Sequence, residues 1–349
     1  MTVHTVEGTI VAGPEMEPVR GRLVVEDGVV RNIERDRVAS DAIVVPAFVN
    51  AHVHLGDSVA KDAGAGLTLR ELVAPPDGLK HRLLRAADAD DLEAAMRRSL
   101  RFMRDGGTGL AADFREGGPE GVRQLRAAAR SLDIDVLALG RGDPSVLEVA
   151  DGYGASGAAD DTFDAARQAA AEADKPFGIH AGEVDAGDIN PALDLDPDFL
   201  VHMVHAEALH LDRVEDKGVP VVVCPRSNVA TGVGRPPVRA LLERTTVALG
   251  TDNVMLNPPS MFREMALTAS LFDVDDTTVL RMATANGAAV FDRPDGVLAP
   301  NRPARYVVLD GGNDNLAGTV DPVRAVVRRA DVADVSTVEL PPIRSSTVP

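Results

Sequence analysis

Residues 45–54 read Val-Pro-Ala-Phe-Val-Asn-Ala-His-Val-His, an apolar run that ends in two histidines. Alternate residues of a β-strand point to the same side, so His52 and His54 can present two imidazoles to one divalent ion. An HxH pair alone is weak evidence for a metal site, because surface strands also produce it by chance. The stretch therefore predicts a buried strand whose carboxyl end is a candidate metal site, and the remaining sequence has to supply further ligands.

Similar apolar runs recur along the middle of the chain, at 108–113, 134–140, 152–156, 176–180, 199–202, 219–224 and 246–252. Predicted helices lie between them, at 90–104, 121–131, 161–173, 211–217, 237–244 and 260–272. About eight strands that alternate with helices favour a parallel barrel or a doubly wound sheet. No GxGxxG segment follows the first strand, which weakens the dinucleotide-binding alternative.

Further candidate site residues stand at the ends of these runs. His180, His202 and Asp252 each close a different run, and His180 and Asp252 are the candidate ligands that add to the HxH pair. In a (β/α)₈ barrel the carboxyl ends of the strands converge on one mouth, where active sites lie. Imidazole nitrogens together with one carboxylate oxygen suit Zn²⁺ or Fe²⁺ and leave a position open for water. In combination with the HxH pair, this order of residues strongly predicts a metal centre.

Five segments of the chain resemble those of the amidohydrolase superfamily. They are Asn50-Ala-His-Val-His, His180-Ala-Gly-Glu183, His202-Met-Val-His205, Cys224-Pro-Arg-Ser-Asn and Gly250-Thr-Asp252-Asn. The resemblance is closest to the branch of adenosine, cytosine and S-adenosylhomocysteine deaminases, and it covers nearly the whole chain. It implies a barrel with one divalent metal ion, zinc being preferred over iron. The matching ligand positions are His52, His54, His180 and Asp252.

The resemblance also implies an activity, the hydrolytic deamination of an amino-substituted nitrogen heterocycle of the purine, pyrimidine or pterin type. Water activated by the metal would attack the ring carbon, and ammonia would leave. The implied catalytic residues are Glu183, His202 and Asp252. Asp252 would accept the proton of the water, His202 would orient the hydroxide, and a protonated Glu183 would donate to a ring nitrogen. Alternatively, Glu183 only holds a histidine by a hydrogen bond.

The number of metal ions follows from a missing lysine. Two-metal members of the superfamily use a carboxylated lysine at the end of the fourth strand, and this chain has no lysine there. Lys175 precedes His180 by five residues, which places it roughly 16 Å from the metal end of an extended strand. We therefore expect one ion per chain.

Weaker candidates for substrate binding stand in the segments that follow predicted strands. They are Lys80, His81, Arg82, Arg115, Glu116, Arg226 and Asn253. The first three lie in a Gly- and Pro-rich loop after the first strand, where the resemblance implies contact with a polar or anionic group of the substrate. An exposed ion pair is an equal alternative for Arg115 and Glu116, and a helix cap is one for Asn253. The role of His205 is open.

Both ends of the chain carry short strand-like runs, at 9–11, 22–26 and 29–33 and again at 305–310 and 321–328. Neither end has enough strands for a core of its own. We therefore expect residues 1–46 and 298–349 to join in a small β-sandwich domain. Residues 47–297 would form the (β/α)₈ TIM-like catalytic barrel.

The acidic composition of the chain indicates which kinds of partner it can bind. The chain has 54 acidic and 36 basic residues and a net charge of -18. Such a surface repels phosphates and anionic membranes, so the expected partner is a small heterocyclic substrate and neither nucleic acid nor a membrane. Only four basic residues are lysine, and this acidic, lysine-poor composition predicts a halophilic protein. The start lacks a basic segment before a long apolar run, which favours a cytoplasmic location, and a homo-oligomer is compatible with the sequence.

Cys224 is the only cysteine, so no intrachain disulfide can form. It follows a run of valines, which predicts a small core residue and not a nucleophile.

Two other functions compete with deamination. A hydrolase of cyclic amides, similar to imidazolonepropionase, would attack a ring carbonyl and open the ring without releasing ammonia. A catalytically silent metal- or ligand-binding protein could share the fold, although it would have little need of Glu183, His202 and Asp252 together.

Overall fold

The computed structural model describes residues 2–73 and 77–343. In these ranges the strands are, in chain order, β1 (Val3–Ala12), β2 (Glu17–Glu26), β3 (Val29–Arg35), β4 (Ile43–Pro46), β5 (Phe48–His54), β6 (Thr108–Arg115), β7 (Asp135–Gly140), β8 (Gly152–Ala155), β9 (Phe177–Ala181), β10 (Phe199–His202), β11 (Val221–Val223), β12 (Val247–Leu249), β13 (Asp252–Asn253), β14 (Tyr306–Leu309) and β15 (Val335–Glu339).

The α-helices in the same ranges are α1 (Leu69–Val73), α2 (Leu79–Ala86), α3 (Ala89–Asp105), α4 (Gly118–Ala129), α5 (Asp164–Glu172), α6 (Ile189–Asp194), α7 (Ala208–Lys217), α8 (Pro225–Thr231), α9 (Val238–Leu242), α10 (Met261–Leu271), α11 (Asp276–Met282), α12 (Ala285–Ala289) and α13 (Pro322–Arg328). Short 3₁₀ helices cover Leu55–Ala60, Pro144–Glu148 and Val332–Asp334. Within the described ranges, none of these helices has both the length and the apolar character that crossing a bilayer requires.

Strands β5 to β12 form a parallel sheet in which each strand pairs with the next along the chain. The short strand β13 continues β12 and pairs in parallel with β5, so the sheet returns to its first strand. Asn50 and Thr251 join the two ends, because the Asn50 amide donates to Thr251 Oγ1 at 2.7 Å and accepts from the Thr251 N–H. This is the predicted TIM-like barrel.

Burial explains why the barrel strands read as continuous apolar runs. Every residue of β5 and of β6 is buried. Parallel strands that are covered by helices on one side and packed into a barrel on the other have no solvent face, so apolar and polar residues do not alternate along them. The polar residues that do occur lie at the carboxyl ends, where the strands open into the mouth of the barrel.

The two chain ends meet in a second sheet, with the strand order β15-β14-β4-β1-β2-β3. Strands β1 and β2 form a long antiparallel hairpin, and β14 from the other end of the chain pairs with β4. The predicted sandwich is not confirmed, because the described residues of the two ends form one six-stranded sheet. The domain boundaries at 46/47 and 297/298 stay a prediction, and residues 344–349 lie outside the described ranges.

Several segments differ from the sequence-based expectation. Lys80, His81 and Arg82, which were expected in a loop, lie on the helix α2. The run at 45–54 contributes to two strands, because the chain leaves the small sheet at the end of β4 and enters the barrel at Phe48. Residues 321–328 were expected to be strand-like, but Pro322–Arg328 is the helix α13. The Asp321 carboxylate accepts from the Arg324 N–H at 3.0 Å and Pro322 stands at the first helical position. This cap and the fixed φ of proline outweigh the strand preference of the valines.

Candidate active site

Five predicted residues lie together at the carboxyl ends of barrel strands. His52 and His54 end β5, His180 lies in β9, His202 ends β10, and Asp252 begins β13. Ligand atoms of four of them lie within 4.8 Å of one another, namely those of His52, His180, His202 and Asp252. His54 lies beside this group. Its Nε2 is 3.4 Å from Asp252 Oδ1, and the Nε2 of His52 is 3.3 Å from the same oxygen.

The donor atoms of this cluster fit a divalent cation. Both ring nitrogens of His52 and the Oδ1 of Asp252 are buried, and none of them has a hydrogen-bond partner among the described residues. Buried polar atoms without a partner are costly and call for a specific reason. Imidazole nitrogens and a carboxylate oxygen that point to one place are typical of a zinc or iron site, which would satisfy these atoms.

The charge states of the cluster also suit metal binding, which requires neutral imidazoles and an ionised carboxylate. Burial lowers the pKa of His52, lowers that of His54 to about 3, and lowers that of His180 well below its usual range. Burial alone would raise the pKa of Asp252. The close contact with His52 and the other nearby imidazoles nevertheless hold the pKa of the Asp252 carboxyl well below its ordinary value.

Glu183 faces the same cavity as the cluster. Its side chain is 17% exposed, and its Oε2 lies 3.6 Å from Nε2 of His202. Gly182 makes the turn between β9 and Glu183 with φ at +64°, and a Cβ there would lie 2.7 Å from the Ile189 side chain. Burial raises the pKa of Glu183 above its ordinary value, which favours the protonated carboxyl.

The backbone is strained where the site residues leave their strands. His202, Met203 and Asp252 have φ angles of +78°, +54° and +55°. Residues other than glycine avoid this left-handed region, which costs of order 1–3 kcal/mol. The Oδ2 of Asp252 accepts from Ser227 Oγ at 2.5 Å and from Asn253 Nδ2 at 3.0 Å. These bonds fix the carboxylate and leave Oδ1 directed towards His52 and His54.

A cavity of about 420 Å³ opens over the cluster, and the loops around it give it one acidic and one basic side. The acidic side carries Glu183, Asp185 and Asp188 from the segment after β9. The basic side includes Lys80 and Arg141.

The basic side contains a buried ion cluster. Lys80 is 3% exposed, and its Nζ lies 2.8 Å from Oε1 of Glu116 and 3.3 Å from Oδ1 of Asp57. The Nη1 of Arg141 lies 3.3 Å from the same oxygen of Glu116. Burial alone would lower the pKa of Lys80, but Asp57 and Glu116 raise it above its ordinary value. The Lys80 ammonium is therefore charged. Lys80, His81 and Arg141, together called the basic wall below, offer N–H donors to the cavity.

The structure separates the seven substrate-binding candidates into two groups. Lys80, His81 and Asn253 line the cavity. Among the described residues, the lining does not include the other four candidates, which are Arg82, Arg115, Glu116 and Arg226.

These four have other contacts. Arg82 is exposed on α2. Arg115 is buried and its Nη1 donates to the Met96 sulfur at 3.5 Å. Glu116 lies behind Lys80, where its Oε1 is also 3.2 Å from Nδ1 of His54. Arg226 donates to the Pro258 carbonyl at 2.9 Å and to Asn257 Oδ1 at 3.2 Å.

Sequence reasoning missed several residues of the site. Arg141 lines the cavity, and its place directly after the predicted strand 134–140 could have indicated it. Asp57 carries no local pattern that points to its ion pair with Lys80. Ser227 lies inside the Cys224-Pro-Arg-Ser-Asn segment, but its contact with Asp252 depends on how the helix α8 is placed.

Comparisons of sequence identify a family and relatives of the chain. A sequence model described as the Amidohydrolase family matches residues 43–339. A protein of Methanothermobacter thermautotrophicus with the provisional name aminohydrolase is 37% identical over 94% of this chain and 95% of its own length. The 5-methylthioadenosine/S-adenosylhomocysteine deaminase of Haloquadratum walsbyi is 28% identical over 88% of this chain and 79% of its own length.

Solved structures share the fold. The atrazine chlorohydrolase of Arthrobacter aurescens TC1, complexed with zinc, superposes with a TM-score of 0.82 at 19% identity and covers 97% of this chain and 93% of its own. An adenosine deaminase of Xanthomonas campestris with bound zinc has a TM-score of 0.74 at 19% identity, with coverage of 96% and 91%. At this identity the similarity concerns the fold.

Proposed function

The chain belongs to the amidohydrolase family, and on this premise we propose that it is a hydrolytic deaminase of an amino-substituted nitrogen heterocycle of the purine, pyrimidine or pterin type. As a member of this family it is a metal-dependent hydrolase of C–N bonds. The proposal of a deaminase rests on the position of Glu183. Its carboxyl group faces the cavity, 3.6 Å from His202 and next to the candidate metal ligands.

We propose that His52, His54, His180 and Asp252 hold one zinc ion. The contacts of the remote ring nitrogens support this set, because Nδ1 of His180 lies 2.8 Å from the Ala155 carbonyl and Nδ1 of His54 lies 3.2 Å from the Phe114 carbonyl. A carbonyl oxygen only accepts, so Nδ1 carries the proton and Nε2 keeps its lone pair for the ion. When bound, a divalent ion lowers the pKa of a coordinated water and so supplies a nucleophile near neutral pH.

A single ion fits the structure at the end of the fourth barrel strand. Ser156 follows β8 and lines the cavity. Lys175 is bound at another place, since its ammonium donates to the carbonyls of Leu147 and Ala150. Among the described residues near β8 there is therefore no lysine that could bridge two metal ions.

The proposed proton transfers use three side chains of the chain. Asp252 Oδ1 has no hydrogen-bond partner among the described residues and can accept the proton of the attacking water. His202 can orient the attacking oxygen from the buried end of β10. Glu183 in its protonated form donates to a ring nitrogen as the neighbouring carbon is attacked. Asp252 then passes the proton it accepted to the amino group, which leaves as ammonia, and the hydroxyl proton of the intermediate returns to Glu183.

The basic wall contributes to substrate recognition in this proposal. Lys80, His81 and Arg141 line the cavity together with the acidic loop after β9. Ammonium and guanidinium groups only donate hydrogen bonds. They therefore suit a substrate whose far edge carries carbonyl or anionic oxygens.

An ammonia-release screen tests the activity. Zinc-loaded protein is incubated in high salt with amino-purines, amino-pyrimidines and pterins, and ammonia is measured. Release of ammonia from at least one of them is expected. A cyclic-amide hydrolase would open a ring without releasing ammonia, and no ammonia from any compound would contradict the proposal.

Two variants then separate the chemistry from metal binding. Glu183→Gln keeps the size of the side chain but cannot deliver a proton, so turnover should fall about 10²–10⁴-fold while zinc stays bound. His180→Ala removes a ligand and should lose zinc and activity together. Glu172→Gln, an exposed glutamate of α5, is the control and should match the wild type. Near-normal turnover of zinc-loaded Glu183→Gln would contradict the assigned role.

A further inference from the structure

The histidines of the site differ in the group that faces the ring nitrogen remote from the cluster. In His54 and His180 this nitrogen, Nδ1, lies beside a carbonyl oxygen. In His202, Nδ1 lies 3.1 Å from Nδ2 of the Asn228 side chain, and both residues are buried. The amide NH₂ group can only donate, so Nδ1 of His202 accepts. The proton of the neutral His202 ring is then on Nε2.

We propose that Asn228 is a positioning residue that holds His202 in the Nε2-protonated tautomer. In this tautomer Nε2 has no lone pair for a metal ion, although the nitrogen lies in the cluster of possible ligands. The Nε2–H group is instead a hydrogen-bond donor next to Glu183. The consequence for turnover rests on the proposed function, in which His202 orients the attacking oxygen.

The surroundings of the Asn228 amide support a dedicated role. The amide is fully buried, and its Oδ1 has no hydrogen-bond partner among the described residues. Burying a primary amide with part of its hydrogen-bonding capacity unused costs free energy. The hydrogen bond between the Asn228 amide and His202 offsets part of this free-energy cost.

Helix α8, which carries Asn228, is held at its first turn by a carboxyl group from α10. Glu264 is completely buried, and its Oε1 accepts from the backbone N–H of Arg226 at 2.9 Å. The Asn228 N–H donates to the Cys224 carbonyl at 3.1 Å, so Asn228 is also fixed through the backbone. The amide therefore meets His202 from a rigid element.

The tautomer can be measured directly. Long-range ¹H–¹⁵N correlation spectra of zinc-loaded protein with ¹⁵N-labelled histidine rings distinguish protonated from unprotonated nitrogens. The His202 signals are assigned by their loss in His202→Asn. In the wild type we expect the proton of His202 on Nε2 and those of His54 and His180 on Nδ1. A wild-type His202 ring that carries its only proton on Nδ1 overturns the proposal, whatever the variants do.

Asn228→Asp reverses the hydrogen bond at almost constant size. A carboxylate oxygen only accepts, so Nδ1 of His202 should become protonated, and turnover should fall about 10²-fold with zinc still bound. Ser227→Ala is the matched control on the same helix. It removes the hydrogen bond to Asp252 but leaves Asn228 in place, so the His202 tautomer should not change.

The outcomes remain distinguishable. A folded, zinc-loaded Asn228→Asp protein whose His202 spectrum equals that of the wild type overturns the proposal, and a changed spectrum supports it. If the spectrum changes but turnover stays at the wild-type level, the orienting role of His202 in the proposed function fails. If this variant does not fold, the wild-type spectrum alone decides. If no heterocycle releases ammonia, the proposed function fails, while the tautomer is still read from the spectrum.

Discussion

Single residues of the site have conformations and environments that cost stability. His202 and Asp252 have left-handed backbone angles, and His52 has two buried nitrogens without partners among the described residues. Each strained backbone position costs of order 1–3 kcal/mol, and a protein retains such costs where the site needs them. The presence of these features at the ends of β5, β10 and β13 supports the proposal that the functional site lies there.

Cys224 shows no such cost to stability. It is completely buried and packs in the apolar core. Burial raises the pKa of its thiol well above the ordinary value, so the thiol is protonated at neutral pH. Cys224→Ser should cost about 1–3 kcal/mol in the free energy of unfolding, because it buries a hydroxyl, and leave turnover largely intact. Chemical denaturation and the ammonia assay check both effects. A well-folded but inactive variant would mean that the thiol takes part in the reaction.

Arg141 is the residue by which the basic wall can be tested. Its guanidinium lines the cavity and pairs with Glu116. A hydrogen bond to a charged group contributes about 1.5–3 kcal/mol, so Arg141→Gln should raise KM roughly 10–10²-fold for substrates with an anionic far edge. The zinc content should not change. Arg82→Gln, which alters an exposed arginine of α2, should leave KM unaltered, and an equal KM for both variants would contradict the recognition role.

Short elements outside the regular barrel strands orient the site. The seven-residue helix α8 supplies Ser227 to Asp252 and Asn228 to His202, and its own first turn depends on Glu264 of α10. Lys80 of the helix α2 lies close to His54 and pairs with Glu116, which contacts the same histidine. The barrel strands thus present the ligands, and the connecting helices determine which way the side chains point.

The buried Glu264 should make the stability of the α8–α10 contact depend on pH. Burial raises its pKa from the ordinary 4.5 to about 8. A carboxyl with a raised pKa binds its proton more tightly in the folded state. Its contribution to stability is therefore fully present below about pH 4.5 and is lost as pH rises through about 8. Glu264→Gln cannot ionise at this position. The difference between its Tm and that of the wild type should therefore shift in favour of the variant as pH rises from 5 to 9.

Thermal unfolding of both proteins over this range measures the effect. Glu243→Gln, which changes an exposed glutamate, should follow the wild type at each pH. Parallel curves for Glu264→Gln and the wild type would show that Glu264 is ionised in the folded protein throughout.

At the scale of the whole molecule, the small sheet and the barrel are joined by a buried charge pair. The Nε of Arg305, next to β14, lies 2.8 Å from Oδ1 of Asp295, and both side chains are almost fully buried. The Nη2 of Arg305 donates to the Gly109 carbonyl of β6 at 2.6 Å. Separating the two partners would leave an uncompensated buried charge, which is strongly destabilising. These contacts therefore hold the sheet built from both chain ends against the barrel.

The net charge of -18 should make the stability of the fold depend on salt. Repulsion between like charges destabilises a compact state when screening is weak. The Tm should therefore rise from tens of millimolar to about 1 M salt, where the Debye length falls to ~3 Å. Sodium chloride and potassium chloride should act alike, because screening depends on ionic strength. A flat or falling Tm would contradict the halophilic prediction.

The barrel and the residues at its mouth could be predicted from local patterns in the sequence. Each strand is a local apolar run, and each candidate ligand follows or closes one, so strand order alone predicts that they converge. His52, His180 and Asp252 do lie together, as predicted, because each of them is next to its apolar run in the chain. The same reasoning failed at 321–328, where an Asp-Pro helix start competed with strand-forming valines.

The groups that surround these residues could not be predicted from the sequence, because they come from distant parts of the chain. Asn228 meets His202 across 26 residues of chain, and Glu264 meets Arg226 across 38. Lys80 reaches the cavity, while Arg115, closer to a strand end, turns away from it. Such contacts depend on how helices pack onto the barrel, and packing depends on the shapes of many distant side chains at once. No local spacing encodes them, so the protonation and orientation of the site are properties of the folded chain.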